Sequence, residues 1–524
     1  MSNVIVRPWV KVAGIIIAVA AITIGLWKIG ENEAKEKGNG ESFFGNIFSG
    51  SSKDYITVGT NTYAGFLPFM YLNDGLEPNE ESYIYKNYGI KLKIVIQDDF
   101  LAGRSAFTND DIDVIYGTLD SWPIETGENS TMSDARFFNV SNFSRGADAI
   151  VVNKNINNVS DLIGKVIACS EGTASHTLLL NTLETSGISY DKVNTTDVVL
   201  PDKVNLRIVG SGLDAAASYK AGSCQAAVVF SPDDQDLVKS MPGTKVLVST
   251  KQASSIICDG LIAKQSYIES HKEDLIKLIS ALSEANVKMN TDPEAVKKAA
   301  KAFAKAYGTD EEFAINGSKN IYYMTISDQA NFFGFNSGFN GIKADELYSK
   351  MCNTYSKLNL TKSPKSWRKV SDMSIIEHLI ENISEVKGDQ SAEKGKSFTP
   401  VTKEIETKEA FSDKKITIEF PINGFTLDND ARSIIDMEFG SIAKQFSGAR
   451  IRIEGNTDAT GDNNKNIELS RLRAQSVAEY IISNYGVDKN RIIVIGNGSK
   501  HAIADGVIGS NQKYRTTDFQ LISE

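Results

Sequence analysis

Residues 451–480 read IRIEGNTDATGDNNKNIELSRLRAQSVAEY. Ile451 and Ile453 fall on one face of an alternating stretch, Ala449 to Glu454, which is the pattern of a half-buried strand. A turn rich in Asn, Thr, Asp and Gly follows, and helical spacing then predicts a helix from about Asn466 to Tyr485. Working outward, Ile416 to Phe420 alternates like a strand and Asn429 to Phe446 carries helical periodicity. Further strands are expected at Arg491 to Ile495 and Thr517 to Ile522. The order is β-α-β-α-β-β, an α+β domain over 414–524.

Within this stretch Gly455, Asn456, Thr457, Asp458, Gly461, Asn466, Leu469, Ser470, Arg473, Ala474 and Val477 match the pattern G-H-T-D, a Gly-containing turn, then N-x-x-L-S-x-x-R-A-x-x-V. The segment therefore resembles the C-terminal domain family of OmpA, shared by Pal lipoproteins and the flagellar stator protein MotB. The resemblance implies a peptidoglycan binder that recognises the diaminopimelate of a stem peptide, which carries a free ammonium and a free carboxylate on one carbon. Asp458 would take the ammonium, and the Arg473 fork the carboxylate. Asn466, Thr457 and Thr460 would add neutral hydrogen bonds, and Asn456, standing for the family's histidine, keeps an amide able to bond locally. Where the family has N-R-R, this chain has Tyr514, Arg515 and Thr516, one basic residue fewer, which implies weaker affinity or a different stem chemistry. Without the pattern, Asp458 reads as a turn cap and Arg473 as a solvated helix charge.

Residues 54–384 alternate short strands with helical patterns, as α/β folds do. Strands are expected at Ile56–Gly59, Leu92–Ile96, Ile112–Tyr116, Ala149–Asn153, Val166–Cys169, Asp197–Leu200, Ala226–Phe230 and Val246–Val248. The passages GTNTYAGFLP from Gly59, DVIYGTLDS from Asp113, GADAIVVNKNINNVSDLIGKVIACSEGTASHTLLLNTLETSGISYDKV from Gly146 and AAASYKAGSCQAAVVFSP from Ala215 carry a likeness. They resemble periplasmic solute-binding proteins of the nitrate, sulfonate, taurine and thiamine-precursor group. That resemblance implies two α/β lobes around a cleft, in the type II manner, with the second lobe at about 147–250. SPKSWRKVSDMSIIEHLI, from Ser363, resembles the segment that closes the family's first lobe.

In the turn from Ser170 to His176, a helix start would aim unpaired N–H groups at the cleft and make an anion pocket, with Thr173 and Ser175 adding hydroxyls. Glu171 beside it argues for plain capping and service to the helix dipole. Thr60, Asn61, Tyr63, Asp120, Ser121 and Asp259 are further candidate contacts at strand ends, although such residues also suit turns. The carboxylates near the cleft allow an amine-bearing ligand as readily as an anion.

The 524 residues exceed one core, and 41% hydrophobic with 23% charged residues describes a globular chain. A net charge of -10 with no long basic run argues against nucleic acid. Cys169, Cys224, Cys258 and Cys352 form no C-x-x-C pair and read as buried thiols, although a bridge such as Cys169 to Cys258 is open to an oxidising periplasm. Four scattered histidines suggest no metal site, and no cofactor is expected.

Val12 to Trp27 carries no charge, and residues 9–29 approach the length of a transmembrane helix, with residues 1–8 cytoplasmic. Leu26 to Ile29 is a poor cleavage site, so an uncleaved anchor is expected rather than a signal peptide. Residues 30–53 read as a tether, with Phe43, Phe44, Ile47 and Phe48 suited to a membrane-surface helix, and 385–413 as a second linker.

No catalytic motif stands out, and the chain is expected to be no enzyme. The expectation is a single-pass inner-membrane protein with its bulk in the periplasm, holding peptidoglycan and a small solute, and serving a transporter or signalling partner. The alternative is a structural, scaffold or motor-linked protein whose central domain binds another protein. Proton-driven stator work needs an intramembrane carboxylate, and 12–27 has none. A virion or prophage protein built from borrowed envelope modules is a third reading.

Overall fold

The strand β1 (Ile56–Thr60) is buried along its whole length, and β2 (Leu92–Ile96) and β3 (Val114–Thr118) flank it in parallel. Such strands, covered on both faces, need the β-branched runs seen here. The computed structural model describes residues 53–524 except 129, 195, 196, 417, 419 and 422. The expected cytoplasmic residues, the span at 9–29 and the tether at 30–53, except for its last residue, lie outside them. Among the described residues no helix is long and apolar enough to cross a membrane.

The first sheet continues antiparallel through β11 (Cys258–Lys264), β4 (Ala135–Ser144) and β12 (Ile321–Tyr323), in the order β12-β4-β11-β3-β1-β2. A second sheet is built from β5 (Asp148–Asn153), β6 (Val166–Ser170), β7 (Tyr190–Lys192), β8 (Val204–Val209), β9 (Ala226–Phe230) and β10 (Thr244–Ser249), ordered β10-β5-β9-β6-β8-β7. The chain crosses between the sheets twice, from Ser144 to Asp148 and from Ser249 to Cys258. Two crossings leave two lobes joined by a hinge.

Thr250 knots the crossings together. Its Oγ1 accepts from Gly146 N at 2.7 Å and lies 2.8 Å from Ser144 Oγ, while its own N–H donates to Asp148 O at 3.0 Å. The helix Ala344–Lys357 bridges the lobes: the Tyr348 hydroxyl meets Thr126 on one side at 3.1 Å, and the Tyr355 hydroxyl meets Thr177 on the other at 2.6 Å. The segment from Ser363 packs on the first lobe, where Trp122 Nε1 donates to Val370 O at 2.9 Å.

The third sheet has the order β13 (Ser412–Ile416), β16 (Thr517–Ile522), β14 (Arg450–Gly455), β15 (Ile492–Gly496), with only β14 and β15 parallel. The helices Asn429–Gln445 and Asn463–Tyr485 cover it through Ile435, Phe439, Ala474, Val477 and Ile481. The β-α-β-α-β-β order is observed.

Several elements differ from the sequence reading. The strand expected at 197–200 is a loop, with Val198 85% exposed and the Leu200 N–H held by the Asn205 side chain at 2.8 Å. Two β-branched residues cannot make a strand without a neighbouring ladder, and the sheet instead takes β7 and β8. The strand expected at 416–420 ends at Ile416, because its partner β16 pairs residues 412–416. The expected linker 385–413 is a docked strap: Glu393 pairs with Arg145 at 2.8 Å and Phe398 is buried. All four cysteines are free and buried.

Candidate functional site

At the end of β14, Asn456 donates from N to Thr516 O (2.9 Å) and from Nδ2 to Thr516 Oγ1 (3.1 Å) and Asp518 Oδ2 (2.9 Å). Its Oδ1 accepts from Asn497 Nδ2 at 3.1 Å. Asn456 was expected among the ligand contacts; here all its polar groups pin the strand exits together. Thr457 donates from N to Gly498 O at 2.8 Å, and its buried hydroxyl has no partner among the described residues. This anchored turn presents Asp458.

Asp458 Oδ1 accepts from Thr460 N at 3.2 Å, and Oδ2 accepts from Asn511 N at 3.2 Å and Arg515 Nε at 2.7 Å. Asn466 Nδ2 donates to Thr460 O at 2.9 Å, tying the first turn of the 463–485 helix to the same loop. Arg473 stands two turns further along that helix, on the same face. Its Nε and Nη2 donate to the carbonyls of Gly424 (3.0 Å) and Pro421 (3.3 Å), and the guanidinium lies over the Phe420 ring. Nη1 has no partner among the described residues.

Burial alone would raise the Asp458 carboxyl, but Arg515 and the two backbone N–H groups hold it below its ordinary value. Burial and the charge of Arg515 lower Arg473, against the pull of Asp458. The three charges thus share one field, two guanidinium groups about one carboxylate. Arg515 had been noted only as the remnant of a basic pair; it is the direct partner of Asp458.

The cleft between the lobes is organised differently from the anion pocket expected there. Thr173 caps the helix Ala174–Thr185, accepting from His176 N at 3.3 Å and donating to Ser170 O at 2.8 Å. Ser170 Oγ reaches Gly210 O at 3.5 Å, Gly172 N donates to His176 Nδ1 at 3.2 Å, and Glu171 is paired with Lys192. Gly172 N, His176 N and the Ser170 and Thr173 hydroxyls are therefore engaged, which leaves fewer donors there for an anion.

Ser175 Oγ donates instead to Asp148 Oδ1 at 2.9 Å, and Ser144 Oγ donates to Asp148 Oδ2 at 2.9 Å. Across the cleft, Asp120 Oδ2 accepts from Thr177 Oγ1 at 2.7 Å, while Oδ1 is buried without a partner. Asp259, on β11, stands opposite Thr118 on one side and Asn142 on the other. Of the remaining candidates, Thr60 Oγ1 lies 2.6 Å from the Tyr307 hydroxyl and Ser121 Oγ bonds back to Thr118. Asn61 Oδ1 is buried and unpartnered. Burial pushes Asp120 up to about 7 and Asp148 up to about 6, and it raises Asp259 well above its ordinary value, helped by the charges of Asp120 and Asp148.

Asp148, Asn142, Thr177 and Tyr355 escaped the sequence reading. Asp148 opens β5, and only the hinge brings it to Asp120 and Asp259; Asn142 lies in β4, a strand the sequence does not signal.

The OmpA family profile matches residues 419–516, and the NMT1/THI5 like profile matches residues 143–296. Outer membrane porin F of Pseudomonas aeruginosa is 34% identical over 62 residues, 12% of this chain and 18% of that protein. The peptidoglycan-associated lipoprotein of Buchnera aphidicola subsp. Baizongia pistaciae is 34% identical over 91 residues, 17% of this chain and 51% of that protein. The chain thus spans about half or less of these curated relatives. The periplasmic aliphatic sulphonate binding protein SsuA from Escherichia coli superposes with a TM-score of 0.46 at 17% identity, covering 62% of this chain and 100% of that one. An OmpA domain at the C-terminus and an NMT1/THI5-like domain before it are fused in this one polypeptide.

Proposed function

We propose that this chain is a non-catalytic envelope protein that grips peptidoglycan through Asp458 and Arg473 and holds a small solute between its two lobes. The proposal includes a single-pass inner-membrane anchor at 9–29 and a periplasmic location for the rest. The grip rests on one observation: Asp458 and Arg473 lie in a common field, on two elements locked together by Asn466 and the turn. A diaminopimelate ammonium would replace the Arg515 guanidinium at Asp458, and its carboxylate would take the free Nη1 of Arg473 with Arg515 beside it.

The test is sedimentation of the full chain with purified sacculi. Asp458→Ala with Arg473→Ala should weaken binding by roughly tenfold or more. Equal sedimentation of the double variant and the unaltered chain would end the proposal.

Solute binding draws on the hinge and the 143–296 match. The scaffold reading, with a protein partner in place of a solute, draws on the Thr177 to Asp120 contact that already joins the lobes. A thermal-shift screen of small molecules separates the two: a response supports the receptor, and silence with pull-down of a specific membrane protein supports the scaffold.

A further inference from the structure

In the interlobe cleft, Asp120, Asp148 and Asp259 are each buried, and they come from three different places: the end of the first-lobe strand β3, the start of the second lobe, and the returning crossover strand β11. Their hydrogen-bond donors are neutral. Thr177 serves Asp120, and Ser144 and Ser175 serve Asp148, while the Asp259 carboxylate has no donor among the described residues. No lysine or arginine is among the groups acting on the three. A buried carboxylate is ordinarily matched by a cation, and three of one sign form an unbalanced site.

Asn142 supplies a second, independent sign. It is wholly buried, and neither its Oδ1 nor its Nδ2 has a partner. It stands directly across the β4–β11 ladder from Asp259, so the two side chains leave the sheet on the same face. Its Nδ2 also faces the Tyr63 turn, where a Cβ on Gly65 would touch both. Buried amides are rarely left without partners, and this one lies beside Asp259, on which the charges of Asp120 and Asp148 also act. Among the described residues no group of three or more His, Cys, Asp or Glu is placed to hold a metal ion.

We propose that the cleft takes an organic ammonium ion, its charge matched by Asp120, Asp148 and Asp259 and its N–H groups received by Asp120 Oδ1, the Asp259 carboxylate and Asn142 Oδ1. This rests on the reading that the two-lobed unit binds a solute. An anion of the same size is repelled by the same three carboxylates, and in the 170–176 turn the Gly172 and His176 N–H groups and the Thr173 hydroxyl are already engaged. Opening at the hinge, with release of the Thr177 to Asp120 bond, would give access.

The experiment uses the full chain at pH 7.5 and low salt. Calorimetry and thermal shift are run with 1,4-diaminobutane, spermidine, choline and ethylammonium, beside ethanesulfonate, phosphate and succinate. The proposal expects at least one amine to bind and none of the anions, with Asp259→Asn weakening the amine at least tenfold. Asp120→Asn is the second variant, and sedimentation with sacculi checks that both variants are folded. Anion binding without amine binding would overturn the charge assignment and leave the solute receptor standing. Amine binding that neither variant alters would place the ligand elsewhere and overturn the site. Silence from every compound would overturn the proposal together with the solute-binding reading.

Discussion

Asp458 receives three donors on two oxygens, and of these only Arg515 is a side chain able to leave. Since the folded carboxyl titrates below its ordinary value, the stability of this contact is complete above about pH 4 and is lost as pH falls through the depressed value. Sacculus binding should therefore stay level from pH 8 to about pH 5, and Arg515→Gln should move its loss to higher pH, because burial then acts unopposed. A sedimentation series against pH reads both. The cleft aspartates have the opposite sign. Their folded values are raised, so the ligand-free fold binds more protons than the unfolded chain between about pH 4 and 7, and its stability falls as pH rises through that window. The groups around them, Tyr63, Tyr355 and Cys258, are all pushed upward and stay neutral there, and Asp234 is raised as well. Thermal unfolding should be higher at pH 5 than at pH 8, and Asp259→Asn should raise the value at pH 8 by several degrees while changing it little at pH 5.

At the scale of elements, the OmpA domain depends on how closely the 463–485 helix lies on β14 and β15. A Cβ on Gly455 would overlap the Ser470 carbonyl oxygen, and one on Gly496 would overlap that of Ile467. Gly455→Ala should therefore lower stability by about 1–3 kcal/mol in a denaturant melt, and sacculus binding should fall with it, because Asp458 and Arg473 ride on these two elements. This helix and β14 were legible in the sequence because each has an amphipathic face of the right period, Ile451 and Ile453 on one and Ala474 and Val477 on the other. The Asp458 and Arg473 pair was legible through a dense local pattern. The cleft was legible only in part: Tyr63, Asp120 and Asp259 stood out as polar residues at strand ends, whereas Asn142 and Asp148 join them only through the two crossings. β4 shows the same limit: ARFFNVSNFS is buried at nearly every position between β11 and β12, so it lacks the polar and apolar alternation by which an isolated strand is recognised. The Ser170 to His176 turn had the right helix start for an anion, yet no pattern could say that Gly172 N, His176 N and the Ser175 hydroxyl would be engaged by His176, Thr173 and Asp148.

For the whole molecule, the consequential feature is that the OmpA domain is seated on the second lobe and the hinge, with the strap 385–413 docked ahead of it. Val159 N donates to Phe411 O at 2.8 Å, Asn158 Nδ2 to Ala410 O at 2.9 Å, and the Ser186 and Ser412 hydroxyls meet at 2.7 Å. At the hinge, Gly448 N donates to Gln252 O at 3.1 Å, and the Ser447 hydroxyl meets those of Ser254 at 2.6 Å and Ser255 at 3.1 Å. Lys350, on the helix that bridges the lobes, joins Asn181 of the second lobe to Gln445 of the OmpA domain. Any opening of the cleft must then move the OmpA domain or break these contacts, because packed interfaces move as units. Gly448 is the narrowest point, since a Cβ there would overlap the Lys251 carbonyl oxygen. Gly448→Ala should therefore part the two halves without touching Asp458 or Arg473. Its expected signature is a larger radius of gyration by small-angle scattering and two calorimetric transitions where the unaltered chain has one, with sacculus binding unchanged. A single transition at unchanged radius would mean that the seat tolerates the added methyl and that cleft and wall grip are coupled elsewhere, whereas two transitions with lost sacculus binding would mean that the seat itself holds the grip in shape.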